Sequence, residues 1–150
     1  MMKRKEQYSE AENLTVSQDI RVRFNETDPL GIVWHGYYIH YFEDGREAFG
    51  RKYGVSYLDV QKNGFVTPIV KSSTEHKLPL KYGYIATIET TFVNTPAAKM
   101  IFVYTIKNEA GEVVCTGETT QVFVDATGVL SLVTPEFFKT WKQEHQVTEN

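Results

Sequence analysis

The sequence predicts an α+β fold in which an antiparallel sheet covers one long helix. One helical pattern of about five turns follows the first strand, between Tyr37 and Tyr53. After it come four or five segments with strand-like alternation, joined by short turns. Strands in this order form antiparallel hairpins, and a helix with one apolar face needs a sheet to cover it.

The first predicted strand lies in SQDIRVRFNET, where apolar and polar residues alternate. Ile20, Val22 and Phe24 fall on one face, and the charged residues between them fall on the other. This period of two is typical of a half-buried strand. The sequence Asp28-Pro29-Leu30-Gly31 then predicts a turn.

The long helix has an apolar stripe at spacings of three and four. The stripe consists of Tyr38, Phe42, Gly45, Phe49 and Tyr53. Gly54 is well placed to end the helix. A glycine within the stripe costs helix stability, which predicts that another part of the backbone approaches the helix closely at Gly45.

The second half of the chain predicts strands and one short helix. The strand segments are FVTPIVKSSTEHKL, KYGYIATIETTFVN, KMIFVYTIK, EVVCTGETTQVFVD and the short VLSLV. Pro68 places the first of them at an edge or bulge. Thr134 is expected to cap the helix PEFFKTWKQ, with Pro135 at its first position.

Length and composition are those of one globular domain. The chain has 150 residues, of which 41% are hydrophobic and 13% aromatic, so it can bury a core. We expect a flexible N-terminal arm over residues 1–15 and a single domain over residues 16–150. A net charge of −3 argues against a nucleic-acid or anionic-membrane surface.

The cellular compartment is expected to be the cytoplasm. The N-terminus is polar and charged where a signal peptide has an apolar stretch, and no apolar run reaches the length of a membrane span. The single cysteine, Cys115, cannot form an internal disulfide and is expected to be a buried thiol in a reducing compartment.

Several kinds of site are excluded by spacing. The four histidines lack the spacing of metal ligands, so no metal site is expected. The chain has no glycine-rich phosphate loop and no serine nucleophile elbow. Glu43, Asp44 and Glu47 alternate with Arg46 and Arg51, which is typical of a salt-bridged helix face.

Asp28 is the remaining candidate for chemistry. It follows the first strand, and the helix begins near residues 35–37. The N–H groups that open a helix lack intrahelical partners and can hold a developing oxyanion, so a carboxylate beside them suits a hydrolytic site. Local chemistry alone favours a simpler role, in which Asp28 stabilises its own turn.

A longer motif of eighteen residues surrounds Asp28. It reads Arg21-Val22, four residues, Thr27-Asp28, two residues, Gly31-Ile32-Val33, one residue, His35, two residues, Tyr38. This motif resembles the signature of the 4-hydroxybenzoyl-CoA thioesterase family of hotdog-fold proteins. Further similar positions are Phe42-Glu43, Arg46, Gly117-Glu118-Thr119-Thr120 and Val124-Asp125. The resemblance extends over residues 18–140, and it implies a hotdog fold, in which an antiparallel sheet wraps around one long central helix.

The resemblance also implies acyl-CoA thioester hydrolysis, with Asp28 as nucleophile or general base. The backbone N–H of His35 would polarise the carbonyl, and the His35 side chain would orient water or Asp28 or serve only as a helix-start residue. Gly36, Tyr37 and Tyr38 are expected to contact the substrate. Lys99 lies in the region where relatives hold CoA phosphates and is a candidate to bind them, although an exposed strand-end lysine is the alternative that its position favours.

The implied enzyme needs no cofactor, since coenzyme A is part of the substrate. Hotdog proteins pair as dimers or as dimers of dimers, so a homodimer or homotetramer is expected. Many relatives carry His-Ala-Asn-Tyr where this chain has His35-Gly36-Tyr37-Tyr38, a difference that bears on the acyl pocket. The alternative functions are a thioesterase for acyl carrier protein and a non-catalytic acyl-CoA-binding hotdog protein.

Overall fold

The structure, a computed structural model, describes the backbone of residues 9–147 and the side chains of residues 14–147. The first eight residues of the expected N-terminal arm therefore lie outside the described residues. The backbone of residues 9–15 belongs to the first strand.

A five-stranded antiparallel sheet forms the body of the molecule. Its strands are β1 (Ser9–Arg21), β3 (Ile69–His76), β4 (Ile85–Asn94), β5 (Lys99–Asn108) and β6 (Val113–Val122). They lie in the order β1-β4-β5-β6-β3. Two short strands, β2 (Phe65–Val66) and β7 (Val124–Asp125), form a separate pair.

One long helix, α1 (Tyr38–Tyr53), packs on the sheet and is preceded by a 3-10 turn at His35–Tyr37. The ring of Phe42 stacks on Tyr104 of β5 at 4.5 Å between centroids, and Phe49 packs edge-on against Phe102 at 5.0 Å. Gly54 ends α1 with a φ of 72°, as the sequence predicted. The predicted α+β hotdog fold is confirmed.

Two shorter helices complete the fold. Helix α2 (Tyr57–Lys62) begins at a capping box in which Ser56 and Asp59 bond each other's backbone. Helix α3 (Glu136–Glu144) covers the end of the core, where the indole N–H of Trp141 donates to the carbonyl of Tyr53 at 2.7 Å. No helix within residues 9–147 is long and apolar enough to cross a membrane.

Three local predictions were wrong. Phe24 does not continue the buried face of β1, because the chain leaves the sheet after Val22 and forms a 3-10 turn at Phe24–Glu26 that leaves Phe24 76% exposed. The segment VLSLV forms only one bridge, between Leu130 and Val124, and no strand. Helix α3 begins at Glu136 with Pro135 as its N-cap, one residue later than expected.

Gly45 lies where α1 contacts β4. A Cβ at this position would overlap Oγ1 of Thr90 and would lie 3.0 Å from Cδ1 of Ile88, both on β4. The predicted close approach is therefore present, but side chains of the sheet make it and not another backbone. Because Gly45 has no side chain, α1 can pack closely against β4.

We expect Gly45→Ala to destabilise the protein. Alanine would favour the helix by about 1 kcal/mol, but the overlap with Thr90 should outweigh this and leave a net loss of about 1 to 2 kcal/mol in the free energy of unfolding. Chemical denaturation measures it. In a Thr90→Ala background the loss should shrink, because the overlapping oxygen is gone, and an equal loss in both backgrounds would contradict the assigned contact.

Candidate active site

The connection from β1 to α1 is a small hairpin built around Asp28. Thr27 on one arm pairs with Val33 on the other. The N–H of Asp28 donates to the carbonyl of Ile32 at 2.8 Å, and the N–H of Gly31 donates to the carbonyl of Asp28 at 2.9 Å. Gly31 has a φ of 79°, which a glycine adopts without strain.

The half-buried carboxylate of Asp28 is bonded within its own turn through one oxygen only. Its Oδ1 accepts the N–H of Leu30 at 2.8 Å, which is the arrangement of an Asx turn. Oδ2 accepts no hydrogen bond from any residue that the structure describes. Asp28 thus stabilises its turn and still presents a carboxylate oxygen for chemistry.

A second turn of the same pattern gives a direct comparison. In Asp125-Ala126-Thr127-Gly128 the N–H of Gly128 donates to the Asp125 carbonyl at 3.0 Å, and Gly128 has a φ of 84°. Here Oδ1 of Asp125 accepts three hydrogen bonds from its own turn, from the N–H and the hydroxyl of Thr127 and from the N–H of Val129. The Thr127 hydroxyl, foremost among these donors, lowers the pKa of Asp125. Asp28 accepts one such bond, from the N–H of Leu30.

The start of the helix supplies unpaired donors next to this hairpin. The N–H of Trp34 donates to the carbonyl of Glu26 at 3.0 Å, and the N–H of Tyr37 donates to the carbonyl of Trp34 at 2.8 Å. Between them, the N–H groups of His35 and Gly36 have no acceptor within the described part of the chain, and no side chain caps the turn. Such donors at a helix start can stabilise an oxyanion.

The indole of Trp34 lies against the same peptide segment. A Cβ at Gly36 would overlap this ring, so the glycine is what allows the contact. Trp34 is 51% exposed, and its ring also lies 5.3 Å from that of His35. The exposed aromatic surface at the helix start therefore depends on having no side chain at Gly36.

A buried carboxylate, which the sequence did not point to, lies behind the hairpin. Glu26 is only 7% exposed. Its Oε1 accepts the N–H of Arg23 at 2.9 Å and the hydroxyl of Tyr41 at 2.8 Å. Burial and the bond to Glu26 raise the pKa of Tyr41, which keeps this phenol protonated as a donor.

The predicted tyrosines divide between two surroundings. Tyr37 stacks on His40 at 4.4 Å, and burial together with the nearby Glu26 carboxylate raises its pKa. Tyr38 is buried in the core and packs edge-on against His76 at 5.0 Å, and burial raises its pKa to about 12. Tyr37 is thus the more accessible of the two phenols.

A small apolar cavity of about 240 Å³ lies beside the helix start. Its walls are Ile32, Val33, His35, Tyr38, His76, Lys77, Leu78 and Pro79. The ring of His35 faces that of His76 at 6.4 Å, and no hydrogen bond between described residues joins His35 to Asp28. Nothing in the sequence singled out His76, which lies at the end of β3, because its proximity to His35 depends on the register of the sheet.

Lys99 lies at the other end of the sheet. The register pairs Arg21 with Ile85 at the end where the hairpin begins, whereas Lys99 follows the β4–β5 loop beyond Asn94. The structure therefore places residues 35–38 directly after the hairpin that carries Asp28 and separates Lys99 from them within one chain. Among residues 14–147, no three His, Cys, Asp or Glu side chains lie together in a way that could hold a metal ion.

Cys115 offers no alternative nucleophile. It is fully buried, and burial raises the pKa of its thiol to about 12. The thiol is therefore protonated near neutral pH, as expected of a core cysteine.

A larger cavity, of about 310 Å³, lies along α1 on the side toward β3. Arg46 borders it and donates to the Tyr104 hydroxyl at 3.2 Å. Arg46 also lies 3.8 Å from Glu43, which fits the salt-bridged helix face predicted from the sequence. Met100 and Phe102 form part of the apolar lining.

Comparison with known proteins gives consistent similarities. Residues 22–141 match the profile of the thioesterase-like superfamily. The Bacillus subtilis (strain 168) protein YneP, provisionally named an acyl-CoA thioesterase, is 31% identical over 129 residues, which are 86% of this chain and 94% of YneP.

Solved structures of similar fold include two CoA thioesterases. The DHNA-CoA thioesterase of Staphylococcus aureus superimposes with a TM-score of 0.79 at 26% identity, covering 88% of this chain and 89% of that one. The 1,4-dihydroxy-2-naphthoyl-CoA thioesterase Slr0204 of Synechocystis gives a TM-score of 0.77 at 17% identity, covering 88% and 98%. The second likeness concerns the fold alone.

We expect Gly36→Ala to displace the Trp34 indole toward solvent, because the new methyl group would occupy the position of the ring. Tryptophan fluorescence should then shift to longer wavelength. The chain has two tryptophans, and the other, Trp141, is buried. In a Trp34→Phe background Gly36→Ala should leave the emission unchanged, and an unshifted spectrum with Trp34 present would contradict this packing.

Proposed function

Because the chain belongs to the thioesterase-like superfamily and is a thioester hydrolase, we propose that its substrate is an acyl-CoA and that Asp28 carries the reaction. Asp28 is the one carboxylate on the hairpin that leads directly to the free N–H groups of His35 and Gly36. This pairing of an available carboxylate oxygen with two unpaired donors carries the proposal. The names of the relatives support CoA as the thiol.

The chemistry requires only these groups and water. In one route a carboxylate oxygen of Asp28 bonds to the thioester carbon, the C–S bond breaks, CoA leaves as the thiolate, and water hydrolyses the resulting anhydride. In the other, Asp28 takes a proton from water while that water attacks the same carbon, after which the C–S bond breaks and CoA leaves as the thiolate. Both routes yield the free acid and CoA, and in both the N–H groups of His35 and Gly36 stabilise the charge on the carbonyl oxygen.

The residues around the helix start would shape the acyl site. Gly36 admits the indole of Trp34, and Tyr37 places a phenol where many relatives have an amide. The ring of Tyr38 forms a wall of the small cavity together with His35. A carrier-protein thioester remains the alternative substrate, and placement in the 4-hydroxybenzoyl-CoA branch of the superfamily stays a prediction.

We propose that two copies complete the site by pairing along β3. This strand is at the edge of the sheet, and all but one of its residues are exposed, among them the apolar Ile69 and Val70. An exposed apolar edge favours pairing with another chain. Antiparallel pairing about a two-fold axis would set His76 of one copy near the Ile69 end of the other.

This geometry would also account for Lys99. Lys99 pairs with Val122 and Ile69 pairs with Gln121, so both lie at the same end of β6. In the dimer, the end of the partner's sheet that carries Lys99 would therefore lie beside the end of the first copy's sheet where His35 faces His76. A lysine there could bind CoA phosphates, which it cannot do for Asp28 of its own chain.

We expect Asp28→Asn to lower kcat for acyl-CoA hydrolysis by roughly 10²- to 10⁴-fold, because the amide can neither attack nor accept the proton. Thiol release from a panel of acyl-CoAs measures it. Asp125→Asn is the matched control, since it changes the same residue in the same kind of turn away from the helix start. Unchanged turnover in Asp28→Asn would refute the assigned role, and binding without turnover by the unaltered protein would favour a non-catalytic acyl-CoA binder.

We expect light scattering to give a mass of at least twice the 17.2 kDa of one chain. Val70→Asp should lower the mass to that of the monomer and reduce activity, because a charge would lie in the paired edge. Leu132→Asp is the control, as Leu132 is 86% exposed and outside the sheet. A monomeric mass for the unaltered protein would contradict the dimer.

A further inference from the structure

Glu26 is a buried acid next to the reacting segment, and the chemistry proposed above does not use it. It stands two residues before Asp28 and is 7% exposed. A carboxylate is costly to bury unless its oxygens are hydrogen-bonded. Its contacts therefore indicate why the chain keeps an acid at this position.

Those contacts connect three separate parts of the chain. Through Oε1, Glu26 accepts the N–H of Arg23, which closes the 3-10 turn after β1. Through the same oxygen it accepts the Tyr41 hydroxyl, which belongs to the first turn of α1. Its carbonyl accepts the N–H of Trp34, the residue before the free donors.

The bond to Tyr41 links the segment just before the hairpin directly to α1. The hydrogen bonds of Asp28 all lie within its own turn, to Leu30, Gly31 and Ile32. They shape the turn but do not fix its position against α1. Among the described residues, Tyr41 donates the side-chain hydrogen bond that joins α1 to residues 23–33.

We infer that Glu26 is a positioning residue for the proposed reaction, holding Asp28 in register with the helix start through Tyr41. The inference rests on the proposed function of Asp28. Glu26 acts by geometry, because it is buried and its bonded oxygen faces Arg23 and Tyr41 and not the substrate. Its side chain is long enough to place an acceptor oxygen within hydrogen-bond distance of both Arg23 and Tyr41.

Three variants separate position from charge. Glu26→Ala removes both bonds and should lower kcat roughly 10- to 100-fold, with KM within about twofold, as expected when a reacting group is misplaced by about 1 Å. Tyr41→Phe removes only the link to the helix and should lower kcat about tenfold. Glu26→Gln keeps an oxygen acceptor and should retain kcat within about threefold, with an unchanged pH profile.

Tyr104→Phe is the matched control. It also deletes the hydroxyl of a fully buried tyrosine, one that bonds Thr119 and Arg46 and not the hairpin. It should lower thermal stability about as much as Tyr41→Phe while leaving kcat unchanged. Equal kcat in these two variants would overturn the inference, even if Glu26→Ala failed to fold.

The remaining outcomes separate the positioning role of Glu26 from the proposed function of Asp28. If Glu26→Gln were as slow as Glu26→Ala and its pH profile shifted, the charge and not the position would matter, and the inference would be wrong. In an Asp28→Asn background, Tyr41→Phe should cause no further loss of the residual rate, since it acts through Asp28. If Asp28→Asn itself kept full activity, the proposed function would fail. If only the Asp28 variant lost activity, the positioning role alone would fail.

Discussion

Burial of the aromatic stripe of α1 against the sheet is the constraint on which the rest of the structure depends. Phe42 and Phe49 are fully buried against rings from β5. Burying one such side chain contributes about 1.5 to 3 kcal/mol, so the helix axis has one strongly favoured position. That position sets the N-terminus of α1 beside the end of β1. The short connection between them then has to turn there, and the turn carries Asp28.

The reactivity proposed for Asp28 depends on where its turn lies in the fold and not on the type of turn alone. Asp28 and Asp125 occupy the same position in turns with the same backbone bonds and a glycine of positive φ. Oδ1 of Asp125 accepts three hydrogen bonds from its own turn, whereas Oδ1 of Asp28 accepts one. Part of this difference arises because Leu30 stands where the second turn has Thr127, and leucine has no hydroxyl to donate. The first turn is also the one joined to the start of a helix.

The sequence predicted those features whose causes are local. Alternation and helical spacing located α1 and the strands, because one face of each is buried, and Gly54 ended the helix where a positive φ was needed. The features it did not predict depend on residues distant along the chain. Phe24 left the buried face because the chain turns away from the sheet, and Leu130 had no strand partner beyond a single bridge.

The same distinction explains why Glu26 escaped sequence reasoning. An acid beside Thr27 and Asp28 reads as a solvated turn residue, and only the fold brings the hydroxyl of Tyr41 over it, fifteen residues later. The site then has two layers with opposite demands. The outer groups, the free oxygen of Asp28 and the N–H groups of His35 and Gly36, can remain unpaired at little cost where water reaches them. The inner carboxylate, Glu26, is shielded from water and must therefore be hydrogen-bonded within the protein. These bonds fix Glu26, and a fixed Glu26 can hold the outer groups in place.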